Sequence, residues 1–203
     1  MNKDKAIILC GMPNAGKGDL SNLLKKLPNF VYISTGDLCR SADPKTPLGR
    51  KVLDIMHKGI LIDDDIINEM VDQKIKQIKQ GSNLVFDGYP RRISQAKLLL
   101  KKLEDLDFDT MVIFLEVDEE VSILRRDKRI NDFRKLGQEP RKDDLDLAAL
   151  SKRFLEYREN TVPMVEFLRR KLEHKFYSIE SNYKTIDPVY SIVKDILEIK
   201  NVS

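Results

Sequence analysis

The sequence predicts a three-layer α/β fold in which a five-stranded parallel sheet lies between helices, and three observations predict it. Five short β-rich apolar runs recur along the 203 residues, the stretches between them carry helical periodicity, and the runs are solidly apolar instead of alternating. A strand exposed on one face alternates apolar and polar side chains. A solid run needs cover on both faces, which the crossover helices of βαβ units supply. The composition agrees: 41% hydrophobic and 34% charged residues exclude a disordered or collagen-like chain and suit a single domain spanning 1–203.

The elements follow in order. Ala6–Cys10 is the first strand candidate, and it ends at a glycine-rich turn. Leu20, Leu23, Leu24 and Leu27 then fall at i, i+3, i+4 and i+7, which puts one apolar face on a helix. Val31–Ile33 is the second strand. Residues 35–63 interrupt the alternation with short helical patterns broken by Asp43-Pro44 and Thr46-Pro47, so this segment reads as an insertion. Leu84–Phe86 and Met111–Leu115 are the third and fourth strands. A second insertion is expected at 129–143, Phe176–Ile179 is the last strand, and Val189, Ile192, Val193, Ile196 and Leu197 repeat the helical spacing near the carboxyl end.

Charge and special residues narrow the class. The chain totals +3, yet residues 121–142 alone carry eight basic side chains against three acids, so the remainder sums to −2. A basic run usually marks a solvated helix face, and +3 overall is too little to argue for nucleic-acid or membrane binding. No stretch reaches the ~18 apolar residues of a membrane helix, and the short apolar run after Lys5 is followed by turn chemistry instead of a cleavage site. Two cysteines, Cys10 and Cys39, are too few for a disulfide framework and lack zinc spacing. His57 and His174 match no ligand or triad spacing and are expected at the surface. A cytoplasmic monomer that binds no nucleic acid and no membrane is the expectation.

The chemistry is concentrated at Gly11-Met12-Pro13-Asn14-Ala15-Gly16-Lys17, which fits G-x-x-x-x-G-K between a strand and an amphipathic helix. Glycines let several backbone N–H groups face one phosphate, the helix aims the positive end of its dipole there, and the lysine adds a mobile charge. A purely structural βα turn would need no lysine at that position. The usual loop of this type continues with Ser or Thr for Mg²⁺, whereas position 18 is glycine.

With that glycine, the pattern resembles the adenylate kinase family of nucleoside monophosphate kinases, in its short-lid branch. Ile33-Ser34-Thr35-Gly36-Asp37-Leu38-Cys39-Arg40 resembles the family's I-S-T-G-D-x-x-R segment, and Phe86-Asp87-Gly88-Tyr89-Pro90-Arg91-Arg92 with Gln95 resembles its D-G-[FY]-P-R…Q segment. Leu48-Gly49 through Leu61-Ile62 resembles the monophosphate-binding insertion. Arg141-Lys142-Asp143-Asp144, Arg153-Phe154-Leu155-Glu156-Tyr157 and Thr161-Val162-Pro163 resemble the lid exit and the next helix. The likeness runs from about Ile7 to the carboxyl-terminal helix.

The resemblance implies reversible transfer of a phosphoryl group from Mg-ATP to AMP, giving two ADP. Gly11, Asn14, Ala15, Gly16, Lys17, Gly18 and Asp19 would form the ATP site with Arg125 and Arg129, Arg125 lying against the donor base. Thr35, Arg40, Met56, Leu61, Ile62, Gly88, Arg91, Gln95, Arg141 and Arg153 would bind AMP, with Thr35 and Gln95 towards the base. Lys17, Arg91, Arg129, Arg141 and Arg153 would surround the transferred group, and Asp87 would orient Mg²⁺ through water. Such a reaction needs no general base, because the acceptor phosphate is already an anion. It needs alignment, charge neutralisation and exclusion of water.

Two positions depart from the pattern. Asp19 stands where the family has threonine, and a carboxylate there repels the donor phosphates unless it ligates Mg²⁺ or turns to cap the helix. Asn14 stands where the family prefers glycine. One extra residue separates Arg141 from Arg153, which leaves the register of the lid arginines open. A kinase of CMP or UMP, and a nucleotide-binding module weakened at Asp19, therefore stay as alternatives.

Overall fold

A computed structural model describes residues 3–199. Five strands, β1 (Lys5–Gly11), β2 (Phe30–Ser34), β3 (Asn83–Asp87), β4 (Asp109–Glu116) and β5 (Phe176–Glu180), form one sheet in the order β2-β3-β1-β4-β5. Every pairing is parallel. The five apolar runs are thus the five strands, and the sheet is the one expected.

The solid hydrophobicity of β1 has a direct cause. Ala6, Ile8 and Cys10 enter one core and Ile7 and Leu9 the other, so both faces of the strand are buried. The first core is closed by α4 (Asp64–Lys76), α5 (Ile93–Asp105) and α9 (Val162–Lys171), through residues such as Ile67, Val71, Leu99, Leu103 and Met164. The second is closed by α1 (Lys17–Leu24) and α10 (Asp187–Ile196), through Leu20, Leu24, Val189 and Val193. Leu20 and Leu24 are fully buried. Each contributes about 2 kcal/mol by transfer from water, so together they anchor the helix that follows the glycine-rich loop.

This arrangement places the site. β1 and β3 are neighbours, yet the helix after β1 packs on one face of the sheet and the helix after β3 on the other. The connections leaving their carboxyl ends part there and open a crevice, the usual ligand position in doubly wound sheets. The insertion after β2 folds as α2 (Thr35–Arg40) and α3 (Pro47–His57), which lead into α4. The expected second insertion, 129–143, spans the last turns of one helix and the connection after it. Helix α6 (Glu119–Lys135) runs unbroken through position 129, and a short connection leads from it to α7 (Lys142–Leu145) and α8 (Leu147–Glu156). A π turn at Tyr157–Thr161 joins α8 to α9.

Among the described residues, no helix is long and apolar enough to cross a membrane. Both cysteines are free and buried. His174 is exposed and His57 half-buried, and neither lines the cleft described below.

Candidate active site

A cleft of about 800 Å³ opens over the carboxyl ends of β1, β2 and β3. Its floor is the loop Gly11–Lys17. Gly11 (φ 145°) passes so close to β4 that a Cβ there would lie 2.8 Å from the Leu115 carbonyl, and Gly16 (φ 98°) turns the chain into α1. Only glycine meets both demands without strain. The Lys17 Nζ donates to the carbonyls of Gly11 at 2.7 Å and Met12 at 2.8 Å. Burial pushes its ammonium down to about 8; the Asp87 carboxylate opposes that shift and the Arg91 guanidinium adds to it.

The walls carry arginines held in different ways. Arg91 donates from Nε to the Gly88 carbonyl at 2.9 Å, and its own N–H is accepted by Gln95 Oε1 at 2.7 Å. Burial, then the neighbouring charge of Arg153, holds the Arg91 guanidinium below its ordinary value. Arg40 pairs with Asp37 at 2.6 Å. Arg141 is likewise lowered by burial, then by Arg40 and Arg129. Among the described residues it has no side-chain hydrogen bond that would hold its guanidinium back from a ligand.

Arg129 and Arg153 converge on one acid. Asp144, 2% exposed, accepts from Arg129 Nε at 2.9 Å and Nη2 at 2.6 Å, and from Arg153 Nη1 at 3.1 Å. Arg153 also reaches Asp143 at 3.1 Å, while Arg126 Nε donates to the Asp144 carbonyl at 2.7 Å. The Arg129 Nη2 makes one more bond, 2.8 Å to Asn14 Oδ1 in the loop.

Arg125 is the pin of the donor side. It donates to the Ala15 carbonyl at 3.0 Å, the Tyr183 carbonyl at 2.9 Å and the Ser181 carbonyl. Ser181 Oγ donates to Ala15 at 2.9 Å and Ser122 Oγ to Pro13 at 2.6 Å, so three side chains hold the loop carbonyls outward. Carbonyls turned away leave the loop amides facing the cleft. The Nη groups of Arg125 are spent on this, and the side chain lines the cleft.

Asp87 ends β3 in the cleft wall, with its Oδ2 accepting from the Tyr32 hydroxyl at 2.6 Å. Burial and then the Asp87 charge push that phenol up. Asp19 is exposed in the first turn of α1, where the helix dipole favours it. Its charge opposes the lowering that burial imposes on Arg125.

Most of the expected residues therefore line the cleft together: Gly11, Asn14, Ala15, Gly16, Lys17, Gly18, Asp19, Arg40, Met56, Leu61, Asp87, Gly88, Arg91, Arg125, Arg129, Arg141 and Arg153. The two lid arginines 141 and 153 share it despite the extra residue between them. Three expected residues do not line it. Thr35 is buried with its hydroxyl donated to the Gly88 carbonyl at 2.8 Å. Gln95 is buried with Oε1 on the Arg91 amide and Nε2 on Asp64 at 2.8 Å. Ile62 belongs to the core. Thr35 and Gln95 brace the strand-end loop carrying Gly88 and Arg91: the Gly88 carbonyl accepts from Thr35 as well as from Arg91 Nε, and the Arg91 N–H has Gln95 as its acceptor.

Sequence reasoning assigned no role to Asp144, Ser181, Ser122 or the cleft-lining turn Lys184-Thr185-Ile186. Asp144 could have been noticed as an acid beside a lid arginine in Arg141-Lys142-Asp143-Asp144. The serines and the turn carry no local signal.

The family model described as "Adenylate kinase" matches residues 9–173. The adenylate kinase of Bartonella bacilliformis is 36% identical over 188 residues, covering 92% of this chain and 93% of the relative. That of Bartonella tribocorum is 34% identical over 190 residues, 93% and 94% of the two chains. That of Brucella melitensis biotype 1 is 35% identical over 164 residues, 79% and 84%.

Proposed function

The chain belongs to the adenylate kinase family and is an ATP-dependent nucleoside monophosphate kinase that passes a phosphoryl group from ATP to AMP to give two ADP, and we propose that the cleft divides this work as follows. The loop amides of residues 11–17 and Lys17 hold the donor phosphates. The face of Arg125 lies against the donor base, near Ile186. Arg40, Arg91 and Arg141 hold the monophosphate. Arg129 and Arg153 lie beside the transferred group, and the apolar side chains of Met56 and Leu61 flank the AMP base.

One observation carries this division: nine basic side chains meet six acidic ones around a glycine-rich loop, where burial and then the charge of neighbouring cations lower the proton affinity of Arg91 and Arg141. Like charges are packed together at a cost when the partner is a polyanion that enters later. A planar guanidinium fork grips phosphate oxygens in a set geometry, which aligns donor and acceptor. Transfer then needs no base, only alignment, neutralisation and a dry site.

Asp87 suits Mg²⁺. It offers a hard carboxylate at the phosphate end of the cleft, and among the described residues no cluster of three or more His, Cys, Asp or Glu forms a metal cage. Such a donor fits an ion that takes most of its oxygens from phosphates and water. Mg²⁺ bound there would neutralise phosphate charge, with Asp87 orienting its water shell. The reading extends to a cytoplasmic monomer without nucleic-acid or membrane partners, supported by the two reduced, buried cysteines and by a basic excess directed at small-molecule phosphates.

The test is a phosphoryl-transfer assay with Mg-ATP and AMP, CMP, UMP, GMP or dTMP in turn, beside Lys17→Ala and Arg91→Ala. Turnover with AMP, lost by at least ~10²-fold in either variant with little change in Tm, is expected. Variants that keep wild-type rates would overturn the assignment of roles.

A further inference from the structure

Asn14 is costly to the folded protein at its position. Its backbone is left-handed, with φ 60°, and its Nδ2 is buried with no hydrogen-bond partner among the described residues. Asparagine tolerates that backbone better than most residues, yet glycine adopts it freely and would also leave no buried donor unpaired. Neither cost is repaid inside the loop: its one turn bond is backbone to backbone, Ala15 N–H to the Met12 carbonyl at 3.2 Å.

What the side chain does make is the 2.8 Å bond from Arg129 Nη2 to Asn14 Oδ1, across 115 residues of sequence. A guanidinium has donors and no acceptor, so the atom facing Nη2 must be the amide oxygen. That requirement fixes the amide and leaves Nδ2 unpaired. Asp144 already grips Arg129 at Nε and Nη2. Those two bonds set one edge of the guanidinium on α7, and the Asn14 bond ties it to the donor-phosphate loop.

We propose that Asn14 is a positioning residue for phosphoryl transfer: its amide oxygen is a strut that holds the Arg129 guanidinium against the glycine-rich loop, in register with the donor phosphates. The proposal rests on the reading of the cleft as the phosphoryl-transfer site. A residue that is unfavourable to the fold and bonded to a cleft arginine is what strain retained for function looks like.

The test is a double-mutant cycle of Asn14→Gly with Arg129→Ala, read by kcat, by KM for each nucleotide and by Tm, with the wild type assayed for ATP-plus-AMP turnover alongside. Asn14→Gly should lower kcat about tenfold, the scale of one hydrogen bond to a charged group, while Tm stays level or rises. KM for AMP should not move. In the Arg129→Ala background the same substitution should change kcat less than twofold. A fall in Tm that accompanies the loss of rate would assign Asn14 to stability and overturn the strut, as would an equal loss of kcat in both backgrounds. Absence of wild-type turnover would overturn the reading of the cleft itself, which separates that failure from failure of the strut.

Discussion

Asp144→Asn removes one negative charge from a place where two arginines have been brought to meet it. Breaking a buried pair by neutralising one partner costs ~3–5 kcal/mol, because the other charge stays behind without compensation. Here the acid is 2% exposed, while Arg129 and Arg153 are 30% and 21% exposed. Water can reach the abandoned guanidinium groups, so the low end, about 3 kcal/mol, applies. For a chain of this length that corresponds to a Tm lower by roughly 6–12 °C. With its oxygen at the Oδ1 position, asparagine still accepts from Arg129 Nη2 and Arg153 Nη1, but its NH₂ then faces Arg129 Nε, donor against donor. Arg129 loses its orientation, and misplacement by about 1 Å costs on the order of 10²-fold in rate. Asp143→Asn is the matched control. It touches Arg153 alone, at 3.1 Å, and is 12% exposed, so it should cost about 1 kcal/mol and a few degrees. Thermal melts and steady-state kinetics of the two variants decide the matter. If Asp144→Asn behaves like Asp143→Asn, or melts early yet keeps its kcat, the account of Asp144 as the organiser of the arginines is wrong.

Asp19→Thr takes an exposed negative charge away from the donor phosphates, which at near-aqueous screening is worth about 1 kcal/mol; ATP should bind roughly fivefold tighter by titration calorimetry. Weaker ATP binding in that variant, restored by excess Mg²⁺, would instead make Asp19 a metal ligand. Lys17 gives a pH signature: its proton affinity is lowered from 10.5 to about 8, so the free enzyme loses this charge as pH rises through about 8. ATP affinity should fall by up to about tenfold per pH unit above that point, with proton uptake on binding, and Lys17→Met should show neither. The sign for stability is opposite. The unfolded chain binds this proton between about 8 and 10.5 while the folded one has released it, so the Lys17 contribution to stability rises across that window; Lys17→Met should exceed the wild type in Tm at pH 7 by a margin that shrinks towards pH 10.5.

The site was legible in the sequence to the extent that its parts are local. The loop Gly11–Lys17 declares itself because glycines, lysine, preceding strand and following helix are contiguous. Arg40 and Arg91 are legible because each sits a few residues past a strand end, and strand ends of a parallel sheet share one edge. Helix α6 runs through position 129 to Lys135, an end that is not legible because a basic excess marks which face meets phosphate and does not mark where a helix stops. Thr35 and Gln95 were placed at the AMP base on motif position alone. In the structure the hydroxyl meets the Gly88 carbonyl and the amide oxygen the Arg91 N–H, contacts visible only once those loops are folded.

By itself the sequence determined the five strands, their parallel order of connection with helices, the phosphate loop and the identity of the cations. All of these depend on periodicity or on neighbours in the chain. Only the tertiary structure decided which acid organises those cations, what pins the loop carbonyls and where Asn14 points. Arg125 meets Ala15 across 110 residues, Arg129 meets Asn14 across 115, and Ser181 reaches Ala15 across 166. Partners so far apart are matched by strand order and helix packing, which set distances in space that spacing along the chain does not encode.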